Sequence, residues 1–405
     1  MAEETEAETL KVRSLSGGVN QRGVRDFNER LLLSMIQRYG AKPGSELAKL
    51  AGLSPQTVSV ILRKLEKDGL VVKGDPVRGK VGKPSTPMAL APDGVFSIGL
   101  KIGRRSATLL LMGFTGVVLN QVHLTYRYPA PRELFQFLKE GLRSLTVGLK
   151  PRDMQRLVGI GIAAPYEIWN WHELLGAPAE EFKSWQSVDF CKEIARFSDL
   201  PVSIVNDATA ACRAEHVFGR GKEYRDYAYF FVGAFIGGGI VLNHSVYEGR
   251  QGNAGAFGAL RSLSADGTNK ALIDTASIFI LEEQLLKSGL DPERLWRRPQ
   301  DWTGIDELLM PWISQVGREL AKAGLSACAV IDFEAIFIDG AFPTDVRRAI
   351  VEAVRDCLNE LDMRGIVRPT IEEGSIGENA RALGAASGPI FNGYFLDTNV
   401  GLGDV

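Results

Sequence analysis

The sequence has few cysteines and histidines and no long hydrophobic run. It contains 4 cysteines and 4 histidines in 405 residues, and no two cysteines form a C-x2-C pair. In a chain of this length, that pattern argues against a disulfide framework or a zinc site and predicts reduced thiols. No stretch of about 18 apolar residues occurs, so a membrane span is not expected. The N-terminus is acidic and lacks the order of a signal peptide, so we expect a cytoplasmic protein.

Charge is unevenly distributed along the chain. The net charge is −2, yet residues 11–90 contain 15 Lys and Arg against 6 Asp and Glu, while residues 1–10 contain four Glu. A basic segment joined to an acidic remainder suits a protein that binds a polyanion through one end. The length predicts two or three domains. We expect an acidic N-terminus over residues 1–20, a basic domain over 21–92 and a body over 93–405.

The basic domain has the pattern of three short helices. Apolar spacing predicts helices over residues 24–39, Ser45–Ala51 and Pro55–Asp68, with Ser45 and Ser54 as N-caps. Pro55 suits the first position of the third helix. The second and third helices, joined by a turn at Gly52 and Leu53, form a helix-turn-helix pattern.

The third helix presents polar side chains suited to DNA. Such side chains hydrogen-bond base edges or phosphates in the major groove. The predicted contacts are Ser54, Gln56, Thr57, Ser59, Arg63 and Lys64.

A basic turn between two strands follows the third helix. Strands at residues 70–73 and 88–90 flank a Gly- and Pro-rich stretch with Arg78, Lys80 and Lys83, which predicts a β-wing that contacts phosphates or the minor groove. The alternative is a three-helix packing module, or a protein-binding winged helix with a solvated basic loop. The presence of both the helix pair and the wing favours double-stranded DNA.

The body alternates strands and helices. Strands are predicted over Phe96–Ile102, Ser106–Met112 and Val117–His123, and further strands and helices alternate up to a final helix over Asp345–Glu360. We also expect a helix over Ser187–Phe197 and a long helical section that begins at Asn269. This order predicts an α/β body of two lobes with mixed sheets.

The body contains five short motifs rich in Gly, Ala and Asn. They lie at residues 159–165, 205–211 with Glu215, 237–243, 249–255 and 384–386. Together these motifs resemble the ROK family, which groups sugar-responsive repressors and bacterial sugar kinases. The resemblance spans roughly residues 20–390 and implies a two-lobed actin-like (ribonuclease-H-like) ATPase fold. With a helix-turn-helix ahead of it, the chain resembles the repressor branch.

The resemblance also suggests an effector site. Asn206 and Asp207 match the family's sugar-contacting pair, whose aspartate is the general base in the kinases, and Asn253 matches a further sugar contact. A carboxylate at the end of a strand, where two lobes meet, can bind or deprotonate a hydroxyl. The alternative for Asn206 and Asp207 is a helix cap. We expect all three residues to line one pocket, with Ala256 and Ala259 at its border.

Three departures from the family pattern argue against a kinase and a zinc site. Lys101 stands where the kinases have a phosphate-loop aspartate, and a lysine there would repel magnesium. Ala256 and Ala259 replace an acidic sugar ligand and a histidine, and no cysteine lies between Cys212 and Cys328, so zinc is not expected. Either the effector is not a typical hexose or the pocket is partly vestigial. The polar residues Glu167, His172 and His244 could substitute in the pocket.

These observations predict a DNA-binding transcriptional regulator, a repressor of carbohydrate-related genes, with no catalytic residues, metal or cofactor. Its partners would be a double-stranded DNA operator and a small molecule, possibly a sugar, and it would form a homodimer or homotetramer because symmetric half-sites require one. The alternatives are a sugar kinase that uses Asp207 as base, and a regulator whose body serves only to oligomerise.

Overall fold

A computed structural model describes residues 21–76, 85–166, 168–171, 178–263 and 267–396. An N-terminal helical domain is followed by two α/β lobes. Within the described residues, no helix is both long and apolar enough to cross a membrane.

The N-terminal domain has three helices around a small core. Leu32, Leu47 and Val58 come from the three helices in turn and are fully buried. Ser45 is not a cap, because the second helix begins one residue earlier, after Pro43, and has no side-chain cap. The helices are α1 (Gln21–Tyr39), α2 (Gly44–Ala51) and α3 (Pro55–Lys67).

A three-stranded antiparallel sheet completes this domain. Strands β2 (Val71–Lys73) and β3 (Pro87–Leu90) flank the wing, and β1 (Lys42–Pro43), which the sequence did not predict, pairs with β3 on its other side. The wing tip, residues 77–84, lies outside the described residues.

The first lobe of the body contains a five-stranded mixed sheet in the order β6-β5-β4-β7-β8. The first three strands of the lobe are antiparallel to one another, and the last two run parallel to β4. Burial of every residue of β4 fits a central strand. The strands are β4 (Phe96–Ile102), β5 (Ser106–Gly113), β6 (Val118–Thr125), β7 (Leu157–Ala164) and β8 (Val202–Asn206).

The second lobe repeats this arrangement with the order β11-β10-β9-β14-β15, again antiparallel for the first three strands and parallel for the last two. This shared topology fits the expected two-lobed actin-like fold. The strands are β9 (Tyr227–Val232), β10 (Ile236–Leu242), β11 (Ser245–Tyr247), β14 (Ala335–Gly340) and β15 (Thr370–Glu373), with a separate hairpin of β12 (Arg261–Leu263) and β13 (Asn269–Ala271).

Helices cover both lobes. They are α4 (Pro131–Thr146), α5 (Pro151–Met154), α6 (Ala179–Lys183), α7 (Phe190–Ala195), α8 (Asp207–Phe218), α9 (Ile278–Lys287), α10 (Arg294–Arg297), α11 (Asp306–Val330), α12 (Thr344–Glu360) and α13 (Ala380–Tyr394).

Helix α13 was missed in the sequence, although it packs at the centre of the body. Its backbone approaches the first sheet and α8 so closely that side chains do not fit. A Cβ on Gly384 would lie 1.7 Å from the Ala210 carbonyl oxygen, and one on Gly161 would lie 1.8 Å from the Ala385 carbonyl oxygen. The glycines that make this packing possible also weaken the helix signal, since glycine disfavours a helix interior.

Two other helix predictions were wrong in their extent. The stretch from Asn269 begins as a strand, because β13 pairs with β12, and the helix starts only at Ile278. The helix predicted from Ser187 starts at Phe190, because the Asp189 carboxylate accepts a hydrogen bond from the Lys192 backbone N–H and caps it.

The N-terminal domain is joined to the body by contacts with the end of α13. Phe395 stacks on Phe114 with ring centroids 5.4 Å apart, and its carbonyl accepts a hydrogen bond of 3.0 Å from the Arg30 guanidinium of α1. The Gln37 amide donates to the Val217 carbonyl at 2.7 Å. Helix α1 therefore rests on the body as well as on its own domain.

Candidate functional site

The exposed face of α3 carries the polar side chains predicted for DNA. Ser54 is its N-cap, with Oγ accepting a hydrogen bond of 3.1 Å from the Thr57 backbone N–H. The side-chain hydroxyl oxygens of Ser54 and Thr57 are 2.8 Å apart, so Thr57 also hydrogen-bonds to the cap residue through its side chain. Gln56, Ser59 and Arg63 are exposed on the same helix.

Lys64 is placed differently from the other predicted contacts. Its ammonium pairs with Glu29 of α1 and lies 3.9 Å from the Asp68 carboxylate. The side chain is 38% exposed, so it still reaches the surface but already has two acidic partners. Arg78, Lys80 and Lys83 fall outside the described residues, and the DNA contacts of the whole set remain predictions.

A cleft between the two lobes contains the three residues predicted for the effector. Asn206, Asp207 and Asn253 line one cavity of about 210 Å³, and Ala256 and Ala259 border the same space. The cleft lies where β8 ends, next to the glycine-rich strand β10. The structure thus brings together residues that are far apart in sequence.

Asn206 is a helix cap as well as a cleft residue. Its Oδ1 accepts hydrogen bonds from the backbone N–H groups of Ala208 at 3.0 Å and Thr209 at 3.2 Å. The side-chain amide oxygen of Asn206 is therefore already hydrogen-bonded. Asn206 has the helix-capping role that was considered as the alternative to ligand contact.

Asp207 is held by an arginine that the sequence pattern does not single out. Its carboxylate lies 3.3 Å from the Arg381 guanidinium, with side-chain exposures of 20% and 11%. Arg381 also stacks over the Phe231 ring at 4.8 Å. Because Arg381 belongs to the missed helix α13, no sequence signal connected it with the cleft.

Asn253 is positioned by a loop that lies directly on β10. Gly255 in this loop has φ +77°, and a Cβ there would lie 2.7 Å from the Gly239 Cα. Only glycine allows both the left-handed backbone and this close contact.

Lys101 is buried and hydrogen-bonded to the strand next to its own. Its Nζ donates to the Ser106 carbonyl at 3.1 Å and to the Ser106 hydroxyl at 2.9 Å. Burial holds the pKa of Lys101 well below its usual range, Arg381 lowers it further, and Asp207 and Glu378 oppose this.

The turn between β4 and β5 reaches across to the second lobe. Arg105 forms an ion pair of 2.8 Å with Glu282 of α9, and Arg104 lies 3.7 Å from the same carboxylate. Arg104 also lies over the rings of Phe235 and Phe279, at 5.1 and 5.6 Å. The Arg104 side chain is only 8% exposed, because the second lobe covers this turn.

Of the three other polar residues considered for the pocket, the structure describes His244 alone. Glu167 and His172 lie outside the described residues. His244 lines a different cavity, against α1. Among the residues with described positions, no group of three His, Cys, Asp or Glu side chains could hold a metal ion.

Comparison with protein families gives two matches. Residues 97–267 match the ROK family, and residues 26–72 match a winged helix-turn-helix DNA-binding family.

Two characterised proteins illustrate the similarity in sequence. The DNA-binding transcriptional dual regulator NagC of Escherichia coli K12 is 25% identical over 358 residues, which cover 83% of this chain and 85% of that protein. The xylose repressor of Bacillus subtilis 168 is 26% identical over 241 residues, covering 59% and 61%.

Solved structures share the fold. A ROK family transcriptional regulator homologous to the E. coli MLC protein aligns with a TM-score of 0.64 and 19% identity, covering 92% of this chain and 98% of that one. A ROK family glucokinase from Streptomyces griseus aligns with a TM-score of 0.55 and 17% identity, covering 72% of this chain and 98% of that one. The chain therefore has a winged helix-turn-helix domain ahead of a ROK family domain, and it is similar over most of its length to DNA-binding transcriptional regulators.

Proposed function

We propose that this chain represses carbohydrate-related genes by binding an operator through α3 and the wing, and that a small molecule in the inter-lobe cleft changes this binding. The observation that carries the proposal is the presence, in one chain, of a winged helix-turn-helix and a cleft lined by Asn206, Asp207 and Asn253. In this proposal the protein acts in the cytoplasm.

The chemistry of the cleft supports a small polyhydroxylated ligand. Amide and carboxylate groups converge on a cavity of about 210 Å³, below the roughly 300–1,000 Å³ of drug-sized ligand sites. Relatives include repressors named for N-acetylglucosamine and xylose. Ala256 and Ala259 leave part of the wall without polar groups, so a sugar or sugar derivative with one apolar face is the class of ligand we propose.

We further propose that the chain has no kinase activity. Phosphoryl transfer depends on metal-assisted charge stabilisation and a positioned base. Lys101 replaces the family's acidic residue and is buried against Ser106, and Asp207 is paired with Arg381. ROK kinases share the fold of the body, so an ATP-dependent phosphorylation assay over common sugars distinguishes the two functions directly.

An effector regulates DNA binding only if it binds two states of the protein differently. The pairing of Arg104 and Arg105 with Glu282 links the lobes across the cleft. We propose that ligand binding changes how the lobes close around this link, and that α13, which runs from the cleft to Phe395 beside α1, transmits the change. A dimer would present two α3 helices to symmetric half-sites.

The proposal is tested by fluorescence anisotropy with duplex DNA from the promoter region of its own gene, titrated with and without monosaccharides. We expect saturable DNA binding and a change in affinity of about tenfold or more with at least one sugar. Thermal-shift measurements with the same sugars separate a sensor from a body that only oligomerises. Absence of DNA binding at low salt would refute the proposal.

A further inference from the structure

A second and larger cavity separates the DNA-binding domain from the body. Its volume is about 810 Å³, within the range of small-molecule sites. One wall is formed by α1, and the opposite walls by α8, the β10–β11 turn and the end of α13. This junction cavity is distinct from the inter-lobe cleft, and the two have no lining residue in common.

Part of the lining of the junction cavity is apolar. Helix α1 contributes Phe27, Leu31 and Met35, and the end of α13 contributes Phe391 and Phe395. These side chains give the cavity apolar surface on two segments, and both segments hold the DNA-binding domain on the body.

The rest of the lining is strongly basic. Arg30, Arg38, Arg213 and Lys222 line the cavity against one acidic residue, Glu248. Arg213 pairs with Glu248, and Arg30 donates to the Phe395 carbonyl. Within the described part of the chain, Arg38 and Lys222 form no ion pair with a carboxylate.

Two histidines also line the cavity. The His216 Nε2 lies 2.7 Å from the His244 carbonyl. Burial is the main cause that lowers the pKa of His216, to about 4, and the pKa of His244, and the charge of Arg38 lowers both further. Asp226 and Glu334 act on His244 in the opposite direction, but neither lines the cavity.

From this geometry we infer that the junction cavity binds an anionic small molecule with an apolar portion, whose carboxylate, phosphate or sulfonate is held by Arg38 and Lys222 while the apolar portion lies between α1 and α13. Charge-assisted hydrogen bonds to such cations are about twice as strong as neutral ones. Because the ligand would touch the DNA-binding domain and the body at once, it would stabilise one placement of α1.

The probe for the test is 8-anilinonaphthalene-1-sulfonate, which combines an aromatic body with a sulfonate. Its binding to the full chain is measured by calorimetry at low salt. The test variant is Arg38→Gln/Lys222→Gln, and the matched control is Arg143→Gln/Arg152→Gln, which removes the same charge from exposed positions in the body.

We expect about one probe molecule per chain, with affinity at least tenfold weaker in the test variant and unchanged in the control. Raising the salt concentration should weaken binding to the wild type and the control more than to the test variant, since salt screens the two charges that the test variant lacks. Equal affinity in test and control variants, or several probe molecules bound per chain without dependence on either variant, would overturn the inference. Melting curves verify that all variants are folded.

Discussion

At the residue scale, Asp207 is both the first residue of a helix and a member of an ion pair in the cleft. It begins α8 behind the Asn206 cap, and its carboxylate pairs with Arg381 inside the cleft. A carboxylate in this position can accept hydrogen bonds from a hydroxylated ligand while the guanidinium donates to the same ligand. The pair therefore suits recognition of a polar ligand better than removal of a proton from it.

Asp207→Asn tests this recognition role. The change is nearly isosteric and leaves the Asn206 cap intact, so we expect the melting temperature and the DNA affinity without effector to be nearly unchanged. The effector response should weaken about 10- to 100-fold, the effect of losing a hydrogen bond to a charged group. DNA anisotropy titrations with effector measure both quantities.

Asp291→Asn is the matched control. Asp291 lies 3.8 Å from Arg297 in a largely exposed ion pair, and it does not line the cleft. It should behave as wild type in both measurements. If Asp207→Asn instead melts well below the wild type with an unaltered effector response, Asp207 is a structural cap, and the sensing site lies elsewhere.

The residues of the cleft show what sequence reasoning reaches and what it misses. Asn206, Asp207 and Asn253 were named because they match sugar-contacting positions of the ROK family, and the end of a strand is a position that lies at a sheet edge. Arg381 was missed because its helix was missed. The burial of Arg104 depends on a distant helix carrying Glu282, which a local pattern does not reveal.

At the element scale, α13 is a helix that the sequence pattern failed to predict. Its small residues lie against both the first sheet and α8, so tertiary contact overrides a weak helix propensity. The strand Phe96–Ile102 was predicted with its observed ends, because a continuous apolar run and flanking turns give a strong local signal.

Gly384→Ala should show how tightly α13 is packed. The new Cβ would overlap the Ala210 carbonyl oxygen, a backbone atom that cannot move away without shifting α8. We expect a loss of about 3 kcal/mol or more in the free energy of unfolding, or failure to fold. Denaturant unfolding followed by circular dichroism measures this loss.

Gly393→Ala in the same helix is the control. No atom lies within 4 Å of the position of its Cβ, so the substitution should be neutral or stabilise by up to about 1 kcal/mol. Similar stability of the two variants would show that the close approach of α13 does not constrain the fold.

The wing is the element whose role depends on charge. Replacing Arg78, Lys80 and Lys83 by Gln should weaken binding to a mixed-sequence duplex and reduce the slope of log affinity against log salt by about 0.9 for each phosphate that the wing no longer neutralises. Fluorescence anisotropy between low and moderate salt concentrations gives both values.

A triple control, Arg143, Lys150 and Arg152 to Gln, removes the same charge from the body and should leave the slope unchanged. An unaltered affinity and slope in the wing variant would mean that the wing does not contact DNA.

At the scale of the whole molecule, two lobes of identical strand topology enclose the cleft. Lys101 stands where the resemblance to the ROK kinases implies a magnesium-binding acid. We expect no ATP-dependent sugar phosphorylation and no stoichiometric zinc. Coupled-enzyme assays and elemental analysis of the purified chain are the measurements. Turnover of about 1–100 per second, typical of kinases, or about one zinc per chain would contradict this expectation.

Helix α13 is the last of the described elements in chain order, so it is also the last of them to be synthesised. Ribosomes add residues from the N-terminus, so the helix that fills the glycine-lined surface of the first sheet emerges after every strand and helix that it packs against. Until then, Gly161 and its neighbours face an unfilled gap, and Phe114 lacks the aromatic ring of Phe395. The three-helix domain emerges much earlier and has its own small core. During synthesis, therefore, the DNA-binding domain completes its internal packing long before the body can hold it in place.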